Sequence, residues 1–143
     1  MQEIFGDLWF WHGEAKIVIT TSGQVNSKGY CSMPRGCASQ ARQRFPDLPA
    51  RLGELIRCHG NQVFDLGNGI LSFPVENTPF EVPDLRLIER SCLQLKELTD
   101  RKKWPLVILP RPGCGGGGLC WKEVRPLLER HLDDRFKVIT MPG

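Results

Sequence analysis

The chain has 143 residues, 41% hydrophobic and 24% charged, with a formal net charge of +3. That size and balance point to one soluble globular unit, residues 1–143, able to bury its own core. The charge excess is too small and too evenly spread to indicate nucleic-acid binding, and no apolar run is long enough to cross a membrane.

The first residues, Met1-Gln-Glu-Ile-Phe-Gly-Asp7, lack the basic-then-apolar plan of a signal peptide, so a cytoplasmic location is expected. In that compartment the six cysteines are expected to be reduced. Cys31 and Cys37 enclose five residues, as do Cys114 and Cys120, and no pair has the Cys-x2-Cys spacing of a zinc site. His12, His59 and His131 are scattered along the chain. Neither a metal nor a cofactor is expected, and the cysteines read as small buried fillers.

Lys16-Ile-Val-Ile-Thr20 is a β-branched run ended by Thr21-Ser22-Gly23, which predicts a buried strand and a turn. Residues 36–45 form a candidate helix stopped by Pro46, and residues 49–58 a second, with Gly60-Asn61 as its exit. Gln62-Val-Phe-Asp-Leu66 and Ile70-Leu-Ser-Phe-Pro74 flank Gly67-Asn68-Gly69, a hairpin signature. Asp84 can cap a long helix on which Leu85, Ile88, Cys92, Leu95 and Leu98 share one face. The basic run Arg101-Lys102-Lys103 reads as its solvated end. Pro105-Leu-Val-Ile-Leu-Pro110 is apolar throughout, as a strand covered on both faces must be. Trp121, Val124, Leu127, Leu128 and Leu132 mark another amphipathic helix, and Phe136-Lys-Val-Ile-Thr140 is a closing strand. The alternation predicts a three-layer α/β/α sandwich around a mixed sheet that carries one antiparallel hairpin.

In such sheets ligands bind outside the carboxyl ends of strands, where loops lead into helices. Two loops fit: one follows the strand ending at Thr20, the other the strand ending at Pro110. In the second, Gly113, Gly115, Gly116, Gly117 and Gly118 crowd between a buried strand and a helix start. Each glycine costs roughly 0.5–1 kcal/mol in regular structure, so the cluster implies unusual backbone angles or close approach to something. Consecutive amides in front of a helix N-terminus cradle anions, a diphosphate among them. There is no Gly-x4-Gly-Lys-Ser/Thr, which leaves a nucleoside-triphosphatase loop unsupported. Gly113-x-Gly115-x-x-Gly118 matches a dinucleotide fingerprint formally, but too few residues follow it to complete such a fold.

Gly6-Asp7-Leu8, the strand Ile17-Val18-Ile19-Thr20 with its turn, and Leu109-Pro-Arg-Pro-Gly-Cys-Gly-Gly-Gly-Gly-Leu-Cys-Trp121 together resemble a macro domain. Within that superfamily the chain is most similar to the branch with a Pro-Arg-x-Gly-Cys-Gly-x-x-x-Leu-x-Trp loop. That branch holds de-ADP-ribosylating and ADP-ribose-1″-phosphate-processing proteins and small macro-like proteins of phages and bacteria. The resemblance spans nearly the whole chain and is most specific in the second glycine loop.

The resemblance implies a cleft for ADP-ribose or a close derivative, and a monomer. Asp7 would accept a hydrogen bond from the adenine amino group, with the Leu8 backbone beside it. Thr21, Ser22 and Gly23 would meet the terminal ribose. Met33-Pro-Arg-Gly-Cys-Ala38, with Arg35, Gly36 and Cys37, would form a first phosphate loop. Gly113, Cys114, Gly115, Gly116, Gly117, Gly118 and Leu119 would form the second, and Arg111 is a further phosphate candidate.

The sequence departs from the family pattern where catalysis would sit. Ser22 stands where related small proteins often have asparagine, and Asn26 lies farther along. The de-ADP-ribosylating relatives use a lysine after the middle strand and an acid in the second glycine loop. Here Val75 or Glu76 falls near the first position and Gly117 near the second, so no desolvated amine is available for a lysine adduct. Ser22, Asn26 and Glu76 remain candidates to position water. Two functional alternatives stand beside binding. One is a hydrolase removing ADP-ribose from a modified protein or nucleic acid, or phosphate from ADP-ribose-1″-phosphate. The other is a protein-interaction adaptor using Trp9, Trp11 and Trp104.

Overall fold

The computed structural model describes residues 1–115 and 118–140. Its elements are β1 (Gln2–Phe5), a 3₁₀ turn (Leu8–Trp11), β2 (Lys16–Thr21), α1 (Gly36–Arg44), α2 (Leu48–His59), β3 (Phe64–Asp65) and β4 (Ile70–Pro74). They continue as α3 (Leu85–Lys102), β5 (Val107–Pro110), α4 (Trp121–His131) and β6 (Phe136–Thr140). One six-stranded sheet runs in the order β1-β6-β5-β2-β4-β3. Every neighbouring pair is parallel except β3–β4, which is antiparallel.

The expected three-layer α/β/α arrangement with a mixed sheet is what the chain forms. Side chains alternate across each strand, so neighbouring residues feed two different cores. Ile17, Ile19, Ile70, Ile108 and Ile139 pack on one face against Ala38 and Ala41 of α1 and Leu48 and Leu52 of α2. Val18, Leu71, Phe73, Val107, Leu109 and Val138 pack on the other against Ile88 and Leu95 of α3 and Val124 and Leu128 of α4. Strand β4 is buried along its whole length, as expected of a strand covered on both sides.

Local signals explain the element ends. The Asp84 side chain accepts from the Arg86 N–H at 2.8 Å and so caps α3. Arg101 and Lys102 occupy the last turn of that helix, where cations suit its dipole, and Lys103 closes it with φ +58°. The Gly67-Asn68-Gly69 turn joins β3 to β4, with a shorter first strand than the sequence implies. The Val63 N–H leaves the ladder for Gln94 Oε1 (3.0 Å) and the Phe64 N–H donates to the Ser72 hydroxyl (3.0 Å).

Strand β1 has no sequence signal of its own, being a four-residue edge strand that is mostly exposed. Parallel pairing with β6, from Gln2↔Lys137 to Phe5↔Thr140, is what makes it a strand. Trp9 is buried, and its indole N–H donates to Gln40 Oε1 at 2.7 Å. Cys31, Cys37 and Cys92 are buried, Cys58 and Cys120 exposed, and Cys114 intermediate; all six are free thiols.

Gly53 lies inside α2 where the loop before α1 crosses it. A Cβ there would collide with the Gly29 carbonyl oxygen, on a loop held to α2 by the Cys31 N–H and the Pro49 carbonyl (2.8 Å). Alanine would otherwise favour the helix by roughly 0.5–1 kcal/mol. A collision with backbone outweighs that, so Gly53→Ala should destabilise the fold by about 1–3 kcal/mol in urea denaturation. Equal or greater stability in the variant would show that the loop yields freely.

Candidate functional site

Strands β2 and β5 pair only at Lys16↔Val107 and Ile17↔Ile108. Beyond that point β2 keeps its ladder with β4 as far as Thr21↔Pro74, and β5 keeps its own with β6 as far as Pro110↔Ile139. The sheet therefore opens between β2 and β5 at their carboxyl ends. The Thr20 N–H meets the Cys37 sulfur at 3.4 Å, and the Thr20 hydroxyl lies 3.4 Å from the same atom.

A cavity of about 680 Å³ occupies this opening. The ends of four strands line it: Thr20 and Thr21 of β2, Val75 and Glu76 after β4, Pro110 and Arg111 at β5, Ile139 and Thr140 of β6. The α1 start adds Arg35, Gly36, Cys37 and Ala38, and the α4 start adds Trp121. Neither helix is capped by a side chain, the cap residues being Arg35 and Cys120, in contrast to α3 with Asp84. The first-turn N–H groups of both helices carry partial positive charge that favours an anion.

Two arginines add full charges. Arg35 Nη2 donates to the Pro79 carbonyl at 3.0 Å, joining the α1 start to the loop after β4. The Arg111 guanidinium lies over the Trp121 ring, 4.9 Å from its centroid, and its Nη2 is 3.7 Å from Glu3 Oε1. The Trp121 indole N–H donates to the same Glu3 oxygen at 2.8 Å. Nε of Arg111 is buried and has no hydrogen-bond partner among the described residues.

At the β4 end stands Glu76, only 8% exposed, whose Oε2 also has no partner among the described residues. Burial pushes its carboxyl above the ordinary value of 4.5; Arg35 pulls it down and Glu81 adds to the rise. The backbone holds it in place: Asn61 Nδ2 donates to the Glu76 carbonyl at 3.1 Å and to Asn77 Oδ1 at 3.2 Å. Glu81 is committed to its own loop, accepting from the Asn77 N–H (2.7 Å) and the Thr78 N–H (3.2 Å). Cys114 is no ready nucleophile. Its thiol donates to the Pro112 carbonyl at 3.4 Å, and burial pushes it up to about 11.

Of the residues singled out in the sequence, Thr21, Ser22, Arg35, Gly36, Cys37, Glu76, Gly113, Cys114 and Gly115 share the cavity lining. The Ser22 hydroxyl donates to the Ser32 carbonyl at 3.4 Å. Asp7 lies outside the lining and caps the 3₁₀ turn, accepting from the Trp9 N–H at 3.0 Å, while Leu8 is fully buried. Both adjoin the β6 end, where the Gly6 N–H donates to the Thr140 carbonyl (3.0 Å).

Gly23 is also outside the lining; its N–H donates to the Asn77 carbonyl (3.2 Å), and a Cβ there would press on the Asn61 side chain (2.7 Å). Asn26 is exposed and turned to its own loop, where Oδ1 accepts from the Lys28 and Tyr30 N–H groups at 3.0 Å each. Gly113 has φ +74°, and a Cβ there would meet Leu119, Pro83 and Ile88 at 3.0–3.2 Å, so packing against α3 itself demands glycine. Leu119 returns its N–H to the Gly113 carbonyl (3.1 Å). Gly118 is exposed, and neither it nor Leu119 is in the lining. Gly116 and Gly117 lie outside the described residues.

Sequence reading missed Pro79, Ile139 and Thr140 as cavity walls. Knowing that β6 runs parallel beside β5 would have placed Thr140 there. Among the described residues no group of three His, Cys, Asp or Glu side chains is placed to hold a metal ion.

A mixed sheet between two helical layers, opened at the carboxyl ends of its central parallel strands, is the macrodomain fold, and this chain has it. Among solved structures it is similar to the macrodomain of Mycobacterium tuberculosis DarG, with TM-score 0.79 and 24% identity over 99% of this chain and 97% of that one. The macrodomain of Thermus aquaticus DarG gives 0.74 and 21%, over 99% and 97%. Thermosipho africanus DarTG, solved in complex with ADP-ribose, gives 0.75 and 22%, over 99% of this chain and 42% of that one. No protein-family sequence model and no curated protein sequence matches the chain.

The buried Glu76 carboxyl gives a stability signature. A folded-state value raised above 4.5 means that its contribution is fully present below 4.5 and is lost as pH rises through the raised value. Glu76→Gln keeps the shape without the charge. The variant should therefore melt above wild type in neutral and mildly alkaline buffer, with the gap closing below pH 4.5. A variant that melts lower at neutral pH would show that attraction to Arg35 outweighs the burial.

Proposed function

We propose that the chain binds ADP-ribose or a close derivative in this cavity. The carrying observation is the opening between β2 and β5 with an uncapped helix start on either face of the sheet. A diphosphate fits that middle, where two sets of amide groups and Arg35 and Arg111 converge. The four strand ends from β6 to β4 span about 14 Å at roughly 4.8 Å per step, long enough for a group on each side of the diphosphate.

The β6 end, with Ile139, Trp121 and neighbouring Asp7 and Leu8, suits the adenine. The β4 end, with Thr21, Ser22 and Glu76, suits the terminal ribose. Similarity to DarTG solved with ADP-ribose supports the reading. A continuous cavity of this volume weighs against an adaptor whose glycine loop is incidental.

Calorimetry with ADP-ribose and AMP tests this. ADP-ribose should bind well above AMP, and at 100 times its dissociation constant should stabilise the fold by roughly 2.7 kcal/mol. Arg35→Ala should weaken ADP-ribose by about tenfold, the scale of one hydrogen bond to a charged group. Equally weak binding of ADP-ribose and AMP by the wild-type protein would reject the proposal.

A further inference from the structure

Between β4 and α3 the chain makes a turn whose tip packs in neither core. Phe80 is 90% exposed and Val82 69%, although Pro79 and Pro83 beside them are buried and line the cavity. The turn holds together by itself. One oxygen of Glu81 accepts from the Asn77 N–H at 2.7 Å and from the Thr78 N–H at 3.2 Å. Its two ends are tied to the sheet region, the Asn77 carbonyl by the Gly23 N–H (3.2 Å) and the Asp84 N–H by the Val75 carbonyl (2.9 Å). Between those ends, one hydrogen bond joins residues 78–82 to another element among the described residues. It is the bond from Arg35 Nη2 to the Pro79 carbonyl, at 3.0 Å.

Arg35 is also the residue from which α1 starts, and it is exposed and lines the cavity. A guanidinium carries five N–H donors in one plane, so it can serve an acceptor on either side at once. One donor is spent on Pro79, and the side chain forms no ion pair among the described residues. A diphosphate at the α1 start therefore meets the side chain that tethers the turn. At its other foot, Pro83 packs close to Gly113, 3.1 Å from where a Cβ on that glycine would stand. The turn thus reaches from the first phosphate loop to the second.

Resting on the ADP-ribose reading above, we propose that residues 78–82 form a flap and that Arg35 is the positioning residue that closes it. The guanidinium bridges the ligand's diphosphate to the Pro79 carbonyl and so seats Phe80 against the ligand at the β4 end of the cleft. In the empty protein the flap hangs on a single partly buried bond, which water competes for. A bound diphosphate restrains the guanidinium and displaces that water, and the same bond strengthens as its surroundings dry. Glu81 keeps the turn in one piece, so it moves as a unit between its tied ends.

The test is chymotrypsin cleavage of the Phe80–Glu81 bond, followed by mass, in wild type and Arg35→Lys with saturating ADP-ribose, with saturating AMP or without ligand. Lysine keeps the charge but, as a point donor, cannot bridge two acceptors in one plane. In wild type ADP-ribose should slow the cut by at least about tenfold and AMP by less than about threefold, since cleavage follows the open population. Saturated with ADP-ribose, the lysine variant should be cut within about threefold of its own ligand-free rate. Equal protection of the variant, or no protection of wild type that has bound ADP-ribose, overturns this inference while leaving ADP-ribose binding intact. Should the lysine variant fail to fold or bind, Phe80→Ala decides. A loss of about tenfold in ADP-ribose affinity with AMP unchanged upholds the flap, and unchanged affinity for both overturns it. Wild type that binds ADP-ribose no better than AMP overturns the binding proposal and this one with it.

Discussion

Strands β2 and β5 run side by side for two residue pairs and then part. Each is held on its outer side, β2 by β4 and β5 by β6, so the gap cannot close without breaking those ladders. The chain leaving β2 enters α1 on one face of the sheet, and the chain leaving β5 enters α4 on the other. Both helices therefore begin beside the gap, one on each face. The parting also strands backbone groups that a continuous ladder would have paired. Cys37 takes up the Thr20 N–H with its sulfur, which ties the first turn of α1 to the edge of the opening. A thiol there does more than fill space, because it is a weak acceptor small enough to fit between helix and strand.

The β4 side of the cleft is fixed by backbone hydrogen bonds. The Val75 N–H is bonded to the Thr21 carbonyl, the Gly23 N–H to the Asn77 carbonyl, and the Asp84 N–H to the Val75 carbonyl. Asn61 links the chain before β3 to both Glu76 and Asn77, and its own carbonyl accepts from Arg90 of α3 at 2.9 Å. A surface glutamate would relieve its burial by turning to water. The main chain at Glu76 is anchored on both sides, and the residue is buried in the cavity wall. Fixed, poorly hydrated charge discriminates among ligands far better than a mobile surface carboxylate, which water screens.

Much of the fold was legible because its signals are local. A capping aspartate, an apolar run between prolines, a Gly-Asn-Gly turn and a helical stripe each depend on neighbours a few residues away. Asp84, Val107–Pro110, Gly67 and the Leu95 face all stand as those signals imply. Strand β1 was not legible, because pairing with β6 at the far end of the chain creates it. Nor was the hydrogen bond that holds the buried Trp9, whose indole reaches Gln40 of α1, 31 residues along the chain.

The site divides in the same way. Both glycine-bearing loops could be found from composition, but Gly113 is demanded at least as much by Pro83 and Ile88 as by any ligand. Asn26 and Glu76 looked alike in sequence, as polar residues in loops after strands. The first spends its carboxamide on its own turn, and the second is carried into the cavity by partners 15 residues away and more.

Trp121 shows how the two ends of the cleft differ in stiffness. It opens α4, carries the Arg111 guanidinium on its face and donates from its indole to Glu3 of β1. Glu3 in turn meets Arg125 at 3.1 Å, and Arg125 meets Glu129 at 2.7 Å one turn along α4. Each of these ion pairs is partly exposed and worth little alone. Together they join an edge strand, a loop arginine and a helix start around one indole ring. At the β4 end the main chain does the fixing and, among the described residues, Glu76 Oε2 is buried without a partner; at the β6 end side chains do the fixing, and Nε of Arg111 is the atom left so.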